Sequence, residues 1–243
     1  MSLEAILKDL RSKPFSIKES FLKSKRNPYF ITFINPYSIQ VIEQNDIALE
    51  NIDELYADGF SLAYLCSLFQ KKKIKRYSFD YSSIANEVFR FCEKEELKVA
   101  LIGSTKVHID DFTAKISNRY KNLNVIYFRD GYFAKSEWRA INEQLRKLDV
   151  DVVVVGMGSP LQEQFSLFLK SNSRSGLIFT CGGFYHQEAT SENQNYYPRF
   201  IDKFNLRFAY RMYREPRLSK RYLLLYPKFL FRFIALYILR RMR

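Results

Sequence analysis

Short apolar runs alternate with amphipathic, helix-like segments along most of this chain. The runs read "YFITFIN" at 29–35, "KVALIG" at 98–103, "NVIYF" at 124–128, "DVVVVG" at 151–156 and "GLIFTCGG" at 176–183. Strands that are apolar on both faces and are separated by helices belong to a parallel sheet that is covered on both sides. The sequence therefore predicts an α/β fold, a Rossmann-like parallel sheet with helices on both faces.

The carboxyl ends of the predicted strands form one edge of such a sheet, and ligands of open α/β sheets bind at that edge. The segments that follow the strands are Asn35, Gly103, "RDGYF" at 129–133, "GMGSP" at 156–160 and "CGG" at 181–183. We therefore expect the functional site to lie among these segments.

The turn "GMGSP" follows a buried strand but does not match the dinucleotide fingerprint. The third glycine of that fingerprint is missing, and Pro160 interrupts the spacing. This mismatch argues against a nucleotide-cofactor enzyme, which is kept as a rival interpretation. Two readings of the turn are open: its backbone approaches a ligand, with Ser159 capping the next helix and Gln162 facing the site, or it only connects a strand to a helix.

Asp58 stands directly before Gly59 and an apolar helical segment at 59–70. One interpretation is a helix N-cap, because Asp is among the preferred capping residues. The other is a general base at a helix N-terminus, where the helix dipole favours a carboxylate. The residues alone leave both interpretations open.

Other polar residues do not form a convincing metal or nucleophile site. The acidic pair in "DVD" at 149–151 precedes its strand, which places it on the edge opposite the expected site. His108 and His186 each stand alone, and the three cysteines are far apart with no CxxC pair. We expect no metal, no cofactor, no disulfide framework and a reducing compartment.

The positive charge of the chain is concentrated near its end. The net charge of the 243 residues is +13, and residues 199–243 hold 13 Lys and Arg against 2 acidic residues, which leaves only +2 for the rest. The pattern predicts an α/β domain at 1–196 and a basic helical appendage at 197–243. A segment with such an excess of positive charge attracts polyanions.

The composition of the appendage is typical of a helix at a membrane surface. Its arginines are interleaved with aromatic and aliphatic residues, and the apolar stretch at 222–243 is interrupted by Pro227, Lys228 and Arg232. Because no stretch reaches the roughly 20 apolar residues of a spanning helix, we expect an interfacial anchor on anionic lipid rather than a nucleic-acid partner. A non-enzymatic module that binds nucleic acid through the same charges is the rival interpretation. The N-terminal residues lack the apolar core of a signal peptide, so we expect a cytoplasmic protein.

Six segments, in this order, resemble those of the WecG/TagA/CpsF glycosyltransferases, also called glycosyltransferase family 26. "ADGF" at 57–60 resembles the family's "pDGiG", "VALIGS" at 99–104 its "llGg", and "RDGYF" at 129–133 its "dGyf". "VVVVGMGSPLQE" at 152–163 is similar to "vGlGsPkQE", and "LIFTCGGFYH" at 177–186 to "GgaFd". "LRFAYRMYREPRLSKRYL" at 206–223 resembles the C-terminal signature "LEWlyRl..EPrRl.kRYl". The resemblance extends from about Phe30 to about Phe231.

The resemblance implies an inverting, metal-independent transfer of a sugar from a UDP-sugar to a polyprenyl-diphosphate-linked glycan acceptor, at the inner face of a bacterial cell membrane. It implies that Asp58 is the catalytic base and that arginines of the appendage complete the site. The positions that it implies for substrate binding are Asn35, Gly59, Gly103, Asp130, Gly131, Gly156, Gly158, Ser159, Gln162, Glu163, Gly183, Arg211, Arg214, Arg217 and Arg221.

The chain departs from the family pattern at several of these segments. Phe33 replaces a common Thr, Ser61 and Ser78 replace glycines, and Tyr196 replaces an Arg, while the segment matching "EPrRl" is one residue shorter. The changes at Phe33 and Tyr196 fall near positions that the family uses for substrate, so the donor sugar is not assigned from the resemblance.

Overall fold

The centre of the molecule is a six-stranded, entirely parallel sheet. The structure, a computed structural model, describes residues 3–173, 176–191, 201, 207–216, 219 and 221–241. The strands are β1 (Tyr29–Ile34), β2 (Glu54–Ala57), β3 (Lys98–Gly103), β4 (Asn124–Arg129), β5 (Val152–Gly156) and β6 (Leu177–Thr180). Their order in the sheet is β2-β1-β6-β5-β3-β4, and every neighbouring pair is parallel. The predicted parallel sheet is confirmed.

Helices join the strands and cover the sheet. They are α1 (Leu3–Asp9), α2 (Ile17–Ser24), α3 (Pro36–Gln44), α4 (Phe60–Gln70), α5 (Ala85–Lys94), α6 (Lys106–Arg119), α7 (Trp138–Lys147), α8 (Leu161–Asn172) and α9 (Phe184–Ala189). Short 3₁₀ turns occupy Leu49–Asn51 and Lys135–Glu137. The prediction of a sheet covered by helices is therefore confirmed as well.

The core is divided by the sheet. Alternate side chains of β3 show this: Val99 and Leu101 pack with α2, α5 and α6, whereas Ala100 and Ile102 pack with α7 and α8. A third buried cluster lies beside β2, between α1, α3 and α4. Because strand side chains point alternately to opposite faces, a strand buried on both faces needs apolar residues at every position. This is why the strands read as continuous apolar runs.

Strand β2 was not among the predicted strands, because its sequence "ELYA" is short and begins with a carboxylate. Glu54 is nevertheless buried. Its carboxylate accepts hydrogen bonds from Arg11 Nη1 at 2.7 Å, Tyr29 Oη at 2.7 Å and Tyr56 Oη at 2.6 Å. A buried charge is tolerated when it is paired and hydrogen-bonded, and only the folded chain brings these three donors together.

The acidic residues of "DVD" lie at the amino ends of strands, as predicted. Asp151 Oδ2 accepts the backbone N–H of Lys98 at 2.9 Å, which joins the starts of β5 and β3. Asp149 is exposed at the turn before β5. Both carboxylates are at the edge opposite the carboxyl ends of the strands.

The C-terminal part of the described chain is helical. It comprises α10 (Arg207–Arg214), a π-helical turn at Arg221–Leu225 and α11 (Tyr226–Arg241). Phe229 and Phe233 of α11 are buried in the third core cluster, and Arg232 forms two hydrogen bonds of 2.8 and 2.9 Å with the carboxylate of Glu43 in α3. Helix α11 thus packs directly against the α/β domain. The predicted boundary between residues 196 and 197 lies outside the described residues.

The expectation that no segment is long enough to span a membrane was wrong for residues 222–239. These residues form one continuous helical segment that is long and apolar enough to cross a bilayer by length and composition. Pro227 does not interrupt it, because it is the second residue of α11, where a missing backbone N–H is tolerated. The π-helical turn directly before α11 accommodates the change in hydrogen bonding.

Candidate functional site

A cavity of about 660 Å³ opens at the carboxyl edge of the sheet, where β1, β2, β5 and β6 end. Its volume is within the usual range for small-ligand sites. The predicted site residues that line it are Asn35, Asp58, Gly59, Gly158, Ser159, Gln162, Gly183 and Arg211. Five others lie outside the described lining, namely Gly103, Asp130, Gly131, Gly156 and Glu163. The cavity is therefore lined by strand ends from both halves of the sheet and by the C-terminal helices.

Asp58 lies at the end of β2 and faces the cavity. Its backbone N–H donates to the Ile34 carbonyl at 2.7 Å, which ties the residue to the end of β1. The cap position of α4 belongs to Gly59, so the capping interpretation of Asp58 is not what the structure shows. Arg76 Nε lies 3.5 Å from Asp58 Oδ1, and both side chains are partly exposed. Asp58 is thus a solvent-accessible carboxylate held beside a guanidinium group.

Arg76 links Asp58 to a second carboxylate in the cavity wall. Its Nη2 atom lies 3.1 Å from Asp80 Oδ2, and the same oxygen accepts the hydroxyl of Ser78 at 2.6 Å. The other Asp80 oxygen accepts the backbone N–H of Ser82 at 2.9 Å. These bonds restrain the guanidinium in one orientation, and Asp58, Arg76, Ser78 and Asp80 all line the cavity.

Asn35 caps α3 and also faces the cavity. Its Oδ1 atom accepts the backbone N–H groups of Tyr37 and Ser38, each at 3.0 Å, and Ser38 Oγ accepts the Asn35 N–H at 2.7 Å. This reciprocal capping box orients the side-chain amide. Because the oxygen is engaged with the helix, the amide nitrogen is the part of Asn35 that is suited to donate to a ligand.

Gln162 reaches the cavity from the first turn of α8 and is held at both ends. Its Oε1 atom accepts the Gly182 N–H at 3.1 Å, and its Nε2 atom donates to Glu163 Oε1 at 2.8 Å. Ser159 Oγ donates to the same Glu163 oxygen at 2.8 Å. Ser159 does not cap α8 as predicted, because Pro160 occupies the cap position and the serine hydroxyl bonds to Glu163.

Glu163 is fully buried behind this layer. Its second oxygen, Oε2, has no hydrogen-bond partner among the residues that the structure describes. Burial raises the pKa of the Glu163 carboxyl above its ordinary value, although the bonds from Gln162 and Ser159 act in the opposite direction. The residue supports the cavity wall and is not part of its surface.

Three glycines among the predicted site residues lie where the turns at the strand ends pack against one another. A Cβ on Gly103 would lie 2.3 Å from the Gly156 carbonyl oxygen, and one on Gly156 would lie 2.7 Å from Cys181 Sγ. A Cβ on Gly131 would lie 3.1 Å from Gly103 Cα. Asp130 accepts the N–H of Tyr132 at 2.8 Å within the neighbouring turn. The glycines thus permit the turns at the ends of β3, β4 and β5 to approach closely.

The predicted arginines of the appendage are placed differently from one another. Arg211 lines the cavity, where a Cβ on Gly183 would lie 3.7 Å from its Nη2 atom, and its Nε atom is 3.4 Å from Glu215 Oε1. Arg214 is exposed on α10 and is not in the described lining. Arg217 and the side chain of Arg221 lie outside the described residues, as does Tyr196.

The wall of the cavity formed by the C-terminal helices is mainly apolar. It consists of Met212, Tyr222, Leu223, Tyr226, Pro227, Phe229 and Leu230. The lining also contains the polar residues Asp58, Arg76 and Asp80, together with apolar residues such as Phe33 and Phe79. The cavity therefore has polar groups that suit an anionic group and apolar surface that suits a hydrocarbon group.

His108 and His186 do not stand alone, contrary to the prediction. Their Nδ1 atoms are 3.3 Å apart, although the residues are 78 positions apart in the chain. Burial is the main factor that lowers the pKa of His186, and the nearby His108 and Arg211 act in the same direction. Among the described residues, no group of three or more His, Cys, Asp or Glu side chains is arranged to hold a metal ion.

Comparison with known proteins agrees with this arrangement. The family model described as "Glycosyl transferase WecG/TagA/CpsF family" matches residues 15–243. A curated protein from Shigella boydii, "UDP-Gal:alpha-D-GlcNAc-diphosphoundecaprenol beta-1,4-galactosyltransferase", is 38% identical over 216 residues, which cover 88% of this chain and 89% of that protein.

The chain belongs to the WecG/TagA/CpsF glycosyltransferase family. The family match covers both the α/β domain and the C-terminal helices, so the two parts of the cavity wall both fall within it. The predicted resemblance is confirmed, and the protein is a glycosyltransferase.

Three of the departures from the family pattern line the cavity of this glycosyltransferase, namely Phe33, Ser61 and Ser78. Phe33 is in the wall, and its ring stacks on Tyr56 with a centroid separation of 5.9 Å and an interplanar angle of 17°. Ser61 lies in the first turn of α4. Phe33 thus presents an aromatic side chain to the cavity at a position where the family commonly has a threonine.

Analysis of the sequence missed several residues of the glycosyltransferase site. Arg76 belongs to the basic segment "KKKIKR" at 71–76, where nothing distinguishes it from its exposed neighbours. The apolar side chains of the C-terminal wall were interpreted only as membrane-binding residues. For Asp80, the available signal was the serine at 78, two positions earlier, because a hydroxyl and a carboxylate in a turn commonly bond to each other.

Proposed function

We propose that this glycosyltransferase transfers a sugar from a UDP-sugar to a saccharide carried on a polyprenyl diphosphate. The observation that carries the proposal is the mixed lining of the cavity. Asp58, Arg76 and Arg211 line it, and so do apolar side chains of the C-terminal helices. An acceptor with a charged head and a hydrocarbon chain needs both kinds of surface.

Galactose is the first donor sugar to test. The Shigella boydii relative is named for a transfer from UDP-Gal to α-D-GlcNAc-diphosphoundecaprenol, and it covers nearly the same length of chain. We therefore propose UDP-galactose as donor and an N-acetylglucosamine-diphosphate-prenyl acceptor.

Asp58 is proposed as the general base of an inverting transfer. Its carboxylate accepts the proton of the acceptor hydroxyl while that oxygen bonds to the anomeric carbon from the face opposite the leaving group. The bond between the anomeric carbon and the phosphate oxygen breaks at the same time, and UDP leaves with the bonding electron pair. Arg76 orients the Asp58 carboxylate through the 3.5 Å contact.

The charge that develops on the leaving diphosphate would be met by the protein itself. Arg211 lies in the cavity wall, and α3, α4 and α8 begin at this edge because each follows a parallel strand. Helix N-termini present unpaired backbone N–H groups and a positive dipole end, which stabilise phosphate groups. With these donors and Arg76, we propose that the transfer does not require a metal ion.

A peripheral position on the cytoplasmic face of the membrane is proposed for the enzyme. Helix α11 is apolar enough to span a bilayer, but Phe229 and Phe233 are buried against the α/β domain and Arg232 pairs with Glu43. If α11 spanned the bilayer, it would separate from the α/β domain. The Glu43 carboxylate would then lose its arginine, and the third core cluster would be exposed. An orientation of α11 along the membrane surface keeps them in place.

The test is acceptor-dependent release of UDP from a panel of UDP-sugars in the presence of EDTA. A prenyl-diphosphate-linked N-acetylglucosamine is the acceptor, and Asp58→Asn is compared with Asp111→Asn, an exposed aspartate of α6. We expect release with UDP-galactose, inversion of the anomeric configuration by NMR, and a loss of at least about 10²-fold in kcat for Asp58→Asn only.

Other outcomes would contradict specific parts of the proposal. Near-normal turnover of Asp58→Asn would exclude this residue as the base. Loss of activity in EDTA with recovery on adding Mn²⁺ would exclude a metal-independent reaction. Tight binding of duplex DNA with a steep salt dependence, together with no transfer from any donor, would favour the binding-module interpretation.

A further inference from the structure

Helix α4 carries an exposed apolar stripe that lies outside the core. Phe60, Tyr64 and Leu68 follow one another at intervals of four residues and are 57%, 57% and 45% exposed. Residues spaced by four lie on one face of a helix. The rings of Phe60 and Tyr64 are stacked, with centroids 6.3 Å apart. Three large apolar side chains in one line form a patch rather than the isolated apolar residues of an ordinary surface.

The opposite face of α4 packs into the protein. Leu62, Ala63, Cys66 and Phe69 are all buried in the third core cluster. The helix therefore has two apolar faces, one buried in the core and one that points to the outside.

Helix α11 also presents apolar side chains to the outside. On its inner side, Phe233 contacts Phe69 of α4, with ring centroids 6.1 Å apart, and both residues are buried in the third core cluster. On α11, Phe231, Ile234 and Ile238 are exposed beyond this contact. Two adjacent helices thus both present large apolar side chains to the outside of the molecule.

A cluster of positive charge adjoins the stripe. Lys71, Lys72 and Lys73 follow directly after α4, and all three are exposed. Lysine and apolar side chains together are the composition of surfaces that bind anionic lipid, because the ammonium groups meet phosphate head groups while the apolar side chains enter the acyl boundary.

We infer that the α4 stripe and Lys71–Lys73 form a second membrane-binding surface, which docks on an anionic phospholipid bilayer beside α11. The inference rests on the proposed function in one respect: a lipid-linked acceptor must enter from the bilayer. Phe60 is both the first residue of the stripe and part of the cavity lining. Contact of α4 with the membrane therefore turns the mouth of the cavity, two residues from Asp58, toward the lipid that carries the acceptor.

The first experiment measures contact with lipid directly. Full-length Tyr64→Trp and, as a matched control, Leu22→Trp on the exposed side of α2 are mixed with phosphatidylglycerol vesicles that contain brominated acyl chains. Trp138 is present in both variants and is buried, so the difference between them reports the introduced side chain. We expect strong quenching of Tyr64→Trp and no added quenching of Leu22→Trp. Equal quenching in the two variants would overturn the inference.

The second experiment separates binding from chemistry. Tyr64→Gln/Leu68→Gln and Lys71→Gln/Lys72→Gln/Lys73→Gln are compared with Leu22→Gln/Val107→Gln, which changes two exposed apolar residues on α2 and α6. We expect each α4-side variant to bind anionic vesicles about tenfold more weakly, with the control unchanged. Transfer to an acceptor embedded in vesicles should fall in parallel, while transfer to a water-soluble, short-chain acceptor should stay at the level of the unmodified protein.

The outcomes distinguish this inference from the proposed function. If no donor and acceptor pair gives transfer, the vesicle measurements still decide whether α4 binds lipid. Unchanged vesicle binding of both α4-side variants would overturn the inference even if transfer is observed. Loss of a dimer in light scattering for Tyr64→Gln/Leu68→Gln, with unchanged vesicle binding, would assign the stripe to a second copy of the chain and also overturn it.

Discussion

At the scale of single residues, Glu163 shows how a buried group can determine the position of a functional one. Its Oε1 atom accepts hydrogen bonds from both Ser159 and Gln162, which line the cavity, while its Oε2 atom is buried with no partner among the described residues. An ionised carboxylate in this setting would be costly, whereas a neutral carboxyl group keeps the two accepted bonds. Glu163 therefore acts as a buried support that orients Gln162.

Replacement of Glu163 by Gln and by Ala should have different effects. Glu163→Gln retains a carbonyl oxygen for both donors, so we expect kcat/KM within about threefold of the unmodified enzyme. Glu163→Ala frees Gln162, and a misplaced contact group costs up to about 10²-fold in kcat/KM. Steady-state kinetics with the best donor would measure both. Equal losses in the two variants would show that the carboxylate charge itself is required.

The pH dependence of stability provides an independent test of the same residue. The ordinary pKa of this carboxyl is 4.5 and folding raises it, so its contribution to stability is complete below that value and is lost as the pH rises through the folded-state pKa. Glu163→Gln has no such loss. We expect the melting temperature of Glu163→Gln to exceed that of the unmodified protein by an amount that grows as the pH increases from about 4 to 8. A difference that is independent of pH would contradict a raised pKa.

At the scale of elements, the strand-end turns are packed through their backbones. Gly103 has φ 146°, and an added Cβ would lie 2.3 Å from the Gly156 carbonyl oxygen, 2.5 Å from its carbon and 2.7 Å from its Cα. Backbone atoms cannot move aside without displacing β5, and β5 leads to the turn that carries Ser159 and Gln162. The separation of two turns thus controls the geometry of the cavity wall.

Gly103→Ala should therefore be strongly destabilising, and Gly158→Ala is its matched control. The first combines a backbone clash with a conformation that alanine rarely adopts, and we expect a loss of about 3 kcal/mol or more in the free energy of unfolding. At Gly158, φ is 75° but no atom lies within 4 Å of an added Cβ, so only the conformational cost of about 1–2 kcal/mol applies. Urea denaturation of both variants measures the difference. Similar urea midpoints of the two variants would mean that the two turns can move apart at no cost in the free energy of unfolding.

At the scale of the whole molecule, the charge is distributed unevenly. Residues 199–243 hold most of the net charge of +13, and α11 of that region lies against the α/β domain beside α4. By sequence, this C-terminal region combines positive and apolar side chains. We expect electrostatic attraction to bring it to an anionic surface and apolar burial to hold it there.

Salt should weaken membrane binding without abolishing it. The screening length falls from about 10 Å at 0.1 M salt to about 3 Å at 1 M, so the electrostatic part of the binding free energy decreases while the apolar part stays. We expect affinity for anionic vesicles to fall at least about tenfold between 0.1 and 0.5 M NaCl, with little salt dependence on neutral vesicles. Sedimentation with vesicles measures both. Binding that resists salt and alkaline extraction would show that α11 spans the bilayer.

Much of the fold could be predicted because its signals are local. Strand β5 and, after Lys98, strand β3 carry no polar side chain, which follows from burial on both faces and is visible in the sequence. Strand β2 lacked this signal, because it begins with Glu54, whose partners Arg11 and Tyr29 are distant in the chain. The His108–His186 pair was not predicted for the same reason, because its members belong to different helices and meet only in the folded chain.

The continuity of the C-terminal helix shows a different limit. Pro227, Lys228 and Arg232 were interpreted as interruptions, since each is unfavourable within a spanning segment. In the structure Pro227 is in the first turn of α11, where no backbone N–H is needed, and Arg232 pairs with Glu43 of α3. The position of a residue within its helix, and the partner available to it, decided its effect.

The sequence by itself determined the class of fold, and it predicted the edge of the sheet where the site lies and the separation of a nearly neutral domain from a basic appendage. These properties follow from periodicity, from turn residues and from the sum of charges, all of which are read over short stretches. Only the tertiary structure decided which residues share the cavity: it placed Arg76 beside Asp58, buried Glu163 behind Gln162, and laid α11 against α4. Each of these relations joins residues through the packing of separate elements, and the energy of such contacts depends on distances that the order of residues does not contain.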